Sequence, residues 1–85
     1  MNKKDKYSAS ILVIGDEILS GRTQDTHSNH IAKKMTEIGI NISDIRVIPD
    51  NKEIIIESIN ELRKKTDYLF TTGGIGPTHD DITAE

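Results

Sequence analysis

The sequence predicts a three-layer α/β sandwich built on a mostly parallel sheet. Three observations predict it. Short apolar runs alternate with helical patterns in the order β-α-β-α-β, and then a further helix begins. The connections between them are short, which favours a parallel sheet with right-handed crossovers. Each apolar run ends in glycine or in proline and acids, as expected where a sheet gathers a ligand outside the carboxyl ends of its strands.

Residues 1–7 carry Lys3, Lys4 and Lys6 and read as a basic, solvated tail, leaving residues 8–85 as one domain. Ser10 to Gly15 is a continuous apolar run closed by glycine, the pattern of a strand covered on both faces. Gly21 to Thr26 is a polar loop. Ile31, Met35 and Ile38 then fall at i, i+4 and i+7, a helical stripe closed by Gly39 as a C-cap signal. Asp25, Thr26 or Ser28 is placed to cap its start. Ile40 to Ile48 alternates, and its second half reads as a strand ending at Pro49. Asp50 with Glu53 three residues on resembles a capping box. The helix it would open runs from about Lys52 to Lys65 and buries Ile55, Ile59 and Leu62, with Lys64 and Lys65 at its cation-favouring end. Asp67 to Thr72 is a third strand. Asp80 to Glu85 reads as the first turn of a third helix.

Composition narrows the functional classes. Eighty-five residues suffice for one small domain with a thin core. A net charge of −3 argues against a nucleic-acid partner, whose binding surface is basic. With no cysteine, disulfides and thiolate metal sites are excluded. No apolar run approaches the ~18 residues of a membrane span, and Ile11 to Ile14 is too short for a signal-peptide core. The expectation is a cytoplasmic protein with no membrane partner.

The most informative stretch is Thr71-Thr72-Gly73-Gly74-Ile75-Gly76-Pro77-Thr78-His79-Asp80-Asp81-Ile82-Thr83. Glycines let backbone N–H groups approach an anion and reach φ > 0. Two adjacent aspartates would repel a phosphate unless a cation or proton lies between them. The combination points to a phosphate-bearing ligand with a divalent cation, set against the simpler reading of an ordinary βα turn. It is neither a Walker A loop, lacking the Gly-Lys-Ser/Thr ending, nor G-x-G-x-x-G. Asp80 and Asp81 suit Mg²⁺ bound partly through water, or else simply place charge at a helix start. Gly15-Asp16-Glu17 puts two acids at the first strand's end, where a carboxylate either caps the turn or meets a ligand. Ser20, Gly21 and Arg22 are close enough in sequence to touch the same ligand, Arg22 by its forked donors. Asp50 is explained as well by helix capping as by function. His27-x-x-His30 with His79 is a weaker reading, as a zinc site.

Gly15-Asp16-Glu17-Ile18, Gly21 through Thr26, Val47-Ile48-Pro49-Asp50 and Thr72 through Thr83 occur in order. Together they resemble the MoaB/Mog molybdopterin-binding domain family. They are most similar to its CinA-like branch, which also looks like the N-terminal domain of eukaryotic FAD synthase. The resemblance implies a sandwich binding a pterin phosphate or a nucleotide diphosphate. With Mg²⁺, such a domain carries out nucleotidyl transfer or dinucleotide pyrophosphate hydrolysis. By motif position it implies catalytic roles for Asp50 and Asp81. It makes Asp81, with Asp80, the metal ligand, and assigns the phosphate loop to Thr72, Gly73, Gly74, Gly76 and Thr78. Gly15, Asp16, Glu17, Ser20, Gly21, Arg22 and Asp25 would line the remaining ligand site. His27 departs from the Asn that the family usually carries there. The family domain continues well past the glycine motif, so the resemblance covers its N-terminal half only. It implies a homo-oligomer, or association with a complementary half. The alternative is a non-catalytic remnant or interaction fragment of such a protein.

Overall fold

The computed structural model describes residues 6–73 and the backbone of Ile82–Ala84. Its elements in chain order are β1 (Tyr7–Ile14), α1 (Asp16–Leu19), α2 (His27–Glu37), β2 (Ile40–Ile48), α3 (Lys52–Lys65), β3 (Tyr68–Thr72) and β4 (Ile82–Ala84). The sheet order is β2-β1-β3-β4, with β1 parallel to both β2 and β3. The α/β sandwich expected from the alternating pattern is therefore the fold.

β1 is central, and its apolar residues serve both faces because successive side chains alternate across a strand. Leu12 and Ile14 join Ile48, Leu62 and Leu69 beneath α3, with Ile54, Ile55 and Ile59 packed around them. Ile11 and Val13 join Ile31 on the other face, flanked by Ile18, Ala32, Met35 and Phe70. One strand with no polar face thus needs two helical layers, which α2 and α3 supply. At the opposite end of the sheet from the glycine motif, Asp67 accepts the Ser8 N–H at 2.9 Å and returns its own N–H to the Ser8 carbonyl at 3.0 Å.

Four details differ from the sequence reading. β1 begins at Tyr7, so the tail stops short of that residue: Tyr7 pairs with Ile40, and its ring lies 6.0 Å from that of Tyr68. β2 takes in all of Ile40–Ile48 rather than its second half, because β1 pairs along its whole length. The register slips at Ala9/Ser10, where Ser43 is the extra residue of a bulge. Ile38 is 68% exposed, not part of the buried stripe: it is the C-cap of α2, its backbone has left helical geometry, and Gly39 follows at φ 90°. Finally, Ile82–Ala84 is not the start of a helix. It forms β4, antiparallel to β3 through Phe70↔Ala84, Thr71↔Thr83 and Thr72↔Ile82. Ile82 and Thr83 are β-branched and favour extended backbone, and the outer edge of β3 offers N–H and C=O groups to pair with.

Candidate functional site

The carboxyl ends of β1, β2 and β3 bring three of the sequence motifs side by side. Gly15 leaves β1 and donates its N–H to the Ile48 carbonyl at 3.0 Å, so the first two strand ends stay joined one residue past the sheet. Asp16 follows, and its Oδ1 accepts the Asp50 N–H at 3.2 Å. Two aspartates far apart in sequence therefore meet at one edge. Both are exposed, so their carboxylates face solvent rather than core.

Asp50 does not cap α3. The N-cap is Asn51, in extended backbone, whose side-chain oxygen accepts the Ile54 N–H at 3.1 Å. The capping box expected from Asp50 and Glu53 is therefore not formed, and Asp50 is released from the structural task that competed with a functional one. The sequence Pro49-Asp50-Asn51 offers two good capping residues in succession. Only the path of the chain out of β2, with the Asp50 N–H turned toward Asp16, decides between them.

Gly73 completes the edge. Its φ is 77°, and a Cβ there would lie 2.3 Å from the carbonyl oxygen of Ile14. This glycine is required twice, by conformation and by the close passage of β3's end beside β1. Thr72, just before it, is 2% exposed and sits inside the sheet, so its backbone rather than its hydroxyl is the part nearest the site.

The loop after β1 contributes the rest. Sequence reading missed α1, the single turn Asp16–Leu19. Its Glu17 carbonyl gathers the Arg22 N–H at 3.0 Å, the Thr23 N–H at 3.1 Å and the Ser20 hydroxyl at 3.3 Å. That folds Ser20, Gly21 and Arg22 into a compact exposed turn beside the first strand end. Asp25 has a different task from the ligand contact expected of it. Its Oδ1 accepts the Ser28 N–H at 3.2 Å and its Oδ2 accepts the Ser28 hydroxyl, closing the start of α2. Buried Ser28 is the residue that makes this possible.

Gly74, Gly76, Thr78, His79, Asp80 and Asp81 lie outside the described residues. Among the described residues no group of three or more His, Cys, Asp or Glu side chains is placed to hold a metal ion. His27 and His30 share the first turn of α2 and are exposed. Also among the described residues, no helix is long and apolar enough to cross a membrane.

Residues 10–85 match the family model described as "Probable molybdopterin binding domain". The chain belongs to this molybdopterin-binding domain family. Its relatives place it near the CinA-like branch. It is 49% identical over 75 residues to a CinA-like protein of Thermosipho melanesiensis, covering 88% of this chain and 19% of that protein. It is 47% identical over 78 residues to the "Probable FAD synthase" of Caenorhabditis elegans, covering 92% of this chain and 15% of that one. Among solved structures, CinA from Thermoplasma acidophilum superposes with a TM-score of 0.81 at 29% identity, over 88% of this chain and 44% of that one. The tungsten cofactor synthesizing protein MoaB from Pyrococcus furiosus has the same fold, with a TM-score of 0.77 at 21% identity, over 89% of this chain and 48% of that one. The chain thus spans less than a fifth of these two curated relatives and under half of the two solved ones. Within this molybdopterin-binding domain, Asp16, Asp50 and Gly73 lie together at three adjacent strand ends, the edge where parallel α/β sheets gather their ligands.

Proposed function

We propose that this molybdopterin-binding domain binds a pterin phosphate or a nucleotide diphosphate together with Mg²⁺. The intact protein would act on the phosphate or pyrophosphate linkage, by nucleotidyl transfer or by dinucleotide pyrophosphate hydrolysis. The observation that carries the reading is Asp50. It stands at the end of β2, exposed, held by Asp16 through its N–H, and free of the helix cap that would otherwise explain it.

What supports the cation is donor type: Asp16 and Asp50 present exposed carboxylates at neighbouring strand ends. Mg²⁺ takes oxygen ligands and keeps several waters, so one or two carboxylates and the ligand's own phosphates complete its shell. Asp81, with Asp80, would hold it, and Asp50 would assist. When bound, the cation withdraws charge from the phosphoryl oxygens. The residues of the chain have separate tasks. Backbone N–H groups of the stretch from Gly73 through Thr78 would neutralise phosphate charge that develops during the reaction. Asp16 keeps the Asp50 backbone in place. Arg22, on its compact turn, is suited to a second phosphate by its forked donors.

The test is equilibrium binding of ADP-ribose, FAD or a pterin phosphate with and without Mg²⁺. Binding should require the cation. Asp81→Ala and Asp50→Ala should each weaken it about tenfold or more, the loss of one charge-assisted contact. Unchanged affinity in both variants would remove the site from consideration.

A further inference from the structure

We propose that this chain forms a two-fold dimer in which β2 pairs antiparallel with β2 of a second copy, centred on Ile45. β2 is the outermost strand of the sheet on its side, and no described residue pairs with its outer edge. Such an edge presents a row of N–H and C=O groups open to another strand. The direction of those groups is fixed by one hydrogen bond. The Ile48 carbonyl accepts from Gly15, so the polar groups of Ile48 face inward toward β1. Backbone groups alternate along a strand, so those of Arg46 and Asp44 also face β1, and those of Ile45 and Val47 face outward.

The register follows from side-chain chemistry. The bulge at Ser43 and the proline at 49 confine the regular edge to residues 44–48. Centring the pair on Arg46 would set two guanidinium groups against each other in a close, non-hydrogen-bonded pair. Centring it on Ile45 lets Ile45 of each copy exchange two backbone hydrogen bonds with its mate. It also sets Asp44 of each copy directly opposite Arg46 of the other, in the closer, non-hydrogen-bonded kind of pair. The edge is thus complementary in charge to itself. Asp44 and Arg46 both lie on the α3 side, where Lys65 Nζ is 2.7 Å from Asp44 and Glu61 Oε1 is 2.6 Å from Arg46. The Glu61 contact uses one nitrogen of the Arg46 guanidinium, which leaves further donors for Asp44 of the second copy.

Apolar surface agrees with the same axis. Ile45 is 48% exposed on the α2 side of the edge and would meet Ile45 of the second copy. On the other side an open groove runs between β2 and α3, lined by Arg46, Glu53, Ile56, Asn60 and Lys64, with Ile56 50% exposed along it. Extending the sheet across β2 would bring the α3 of the second copy alongside this groove.

Sedimentation velocity on the 85-residue chain, at concentrations up to about 100 μM, should show a species of twice the 9.5 kDa protomer mass. Ile45→Lys places like charges opposite each other and should weaken dimerisation about tenfold or more, with the circular dichroism of the parent. The chain has no cysteine, so Ile45→Cys under mild oxidation is a direct probe of register. Hydrogen-bonded antiparallel partners lie ~5.5 Å apart at Cα, within disulfide reach. Asn41→Cys should not cross-link, because residue 41 would lie ~27 Å from its mate. A monomer throughout, a trimer, a dimer indifferent to Ile45→Lys, or cross-linking at residue 41 in place of 45 would each overturn the proposal. If Ile45→Lys does not fold, the Ile45→Cys cross-link decides, since cysteine is small and suits a half-exposed edge.

Discussion

At the scale of single residues, the strand ends separate structural groups from groups left for a ligand. Asn51 holds the start of α3, so Asn51→Ala should cost ~1 kcal/mol in chemical denaturation. Asp50, its neighbour, should behave oppositely: Asp50→Ala should change stability by less than ~0.5 kcal/mol while weakening Mg²⁺-dependent binding. Equal destabilisation by the two would return Asp50 to a capping role. Gly73→Ala should be more severe than either, losing ~1–3 kcal/mol or more. Its positive φ disfavours any side chain, and the carbonyl it would strike is main chain that cannot swing away. Asp50 and Gly73 could be nominated from sequence, since acids and glycines at strand ends are visible there. Asn51 could not be preferred to Asp50, because capping propensity barely distinguishes them.

At the scale of elements, α3 is the member on which the thin core leans. Leu62 is fully buried between the helix and the sheet, and Leu62→Ala should cost ~2–5 kcal/mol, read from a denaturant midpoint. The same helix is tied to the edge strand by Lys65 and Asp44. The Lys65 hydrogen bond, aided by the charges of Lys65 and Arg46, holds the Asp44 carboxyl below its ordinary pKa. A carboxylate whose pKa is lowered by folding contributes stability that is present above the unfolded value and lost as pH falls through the folded one. The contribution of this pair should therefore be intact at neutral pH, begin to fall near the ordinary carboxylate pKa of about 4 and be gone only below the lowered folded value. Asp44→Asn should remove the small part of the acid limb of the stability profile that this solvent-accessible pair supplies, as denaturant midpoints measured across an acid pH series would show. The elements themselves were legible wherever hydrophobic period and end signals agreed, as in α3. They were misjudged where a partner overrode local preference. β2 was lengthened by pairing with β1, and Ile82–Ala84 was drawn to the open edge of β3.

At the scale of the whole molecule, the consequence is an unequal sheet. Among the described residues, β1 is enclosed by strands and helices, and β2 keeps one side free. If β2 pairs with its copy, folding and association are linked, and the melting temperature should rise with chain concentration. That dependence should disappear in Ile45→Lys, as calorimetry across a concentration series would show.

By itself the sequence determined the α/β class, the parallel core, the family and the gathering of acids and glycines at strand ends. These rest on local information: apolar period, punctuating residues and motifs in register. Only the tertiary structure decided that Asn51 rather than Asp50 caps α3, that Asp16 reaches across to the Asp50 N–H, and that Gly73 must pass beside Ile14. It also decided which groups of β2 face outward. Each of these depends on contacts between residues distant in the chain, and no local propensity encodes them.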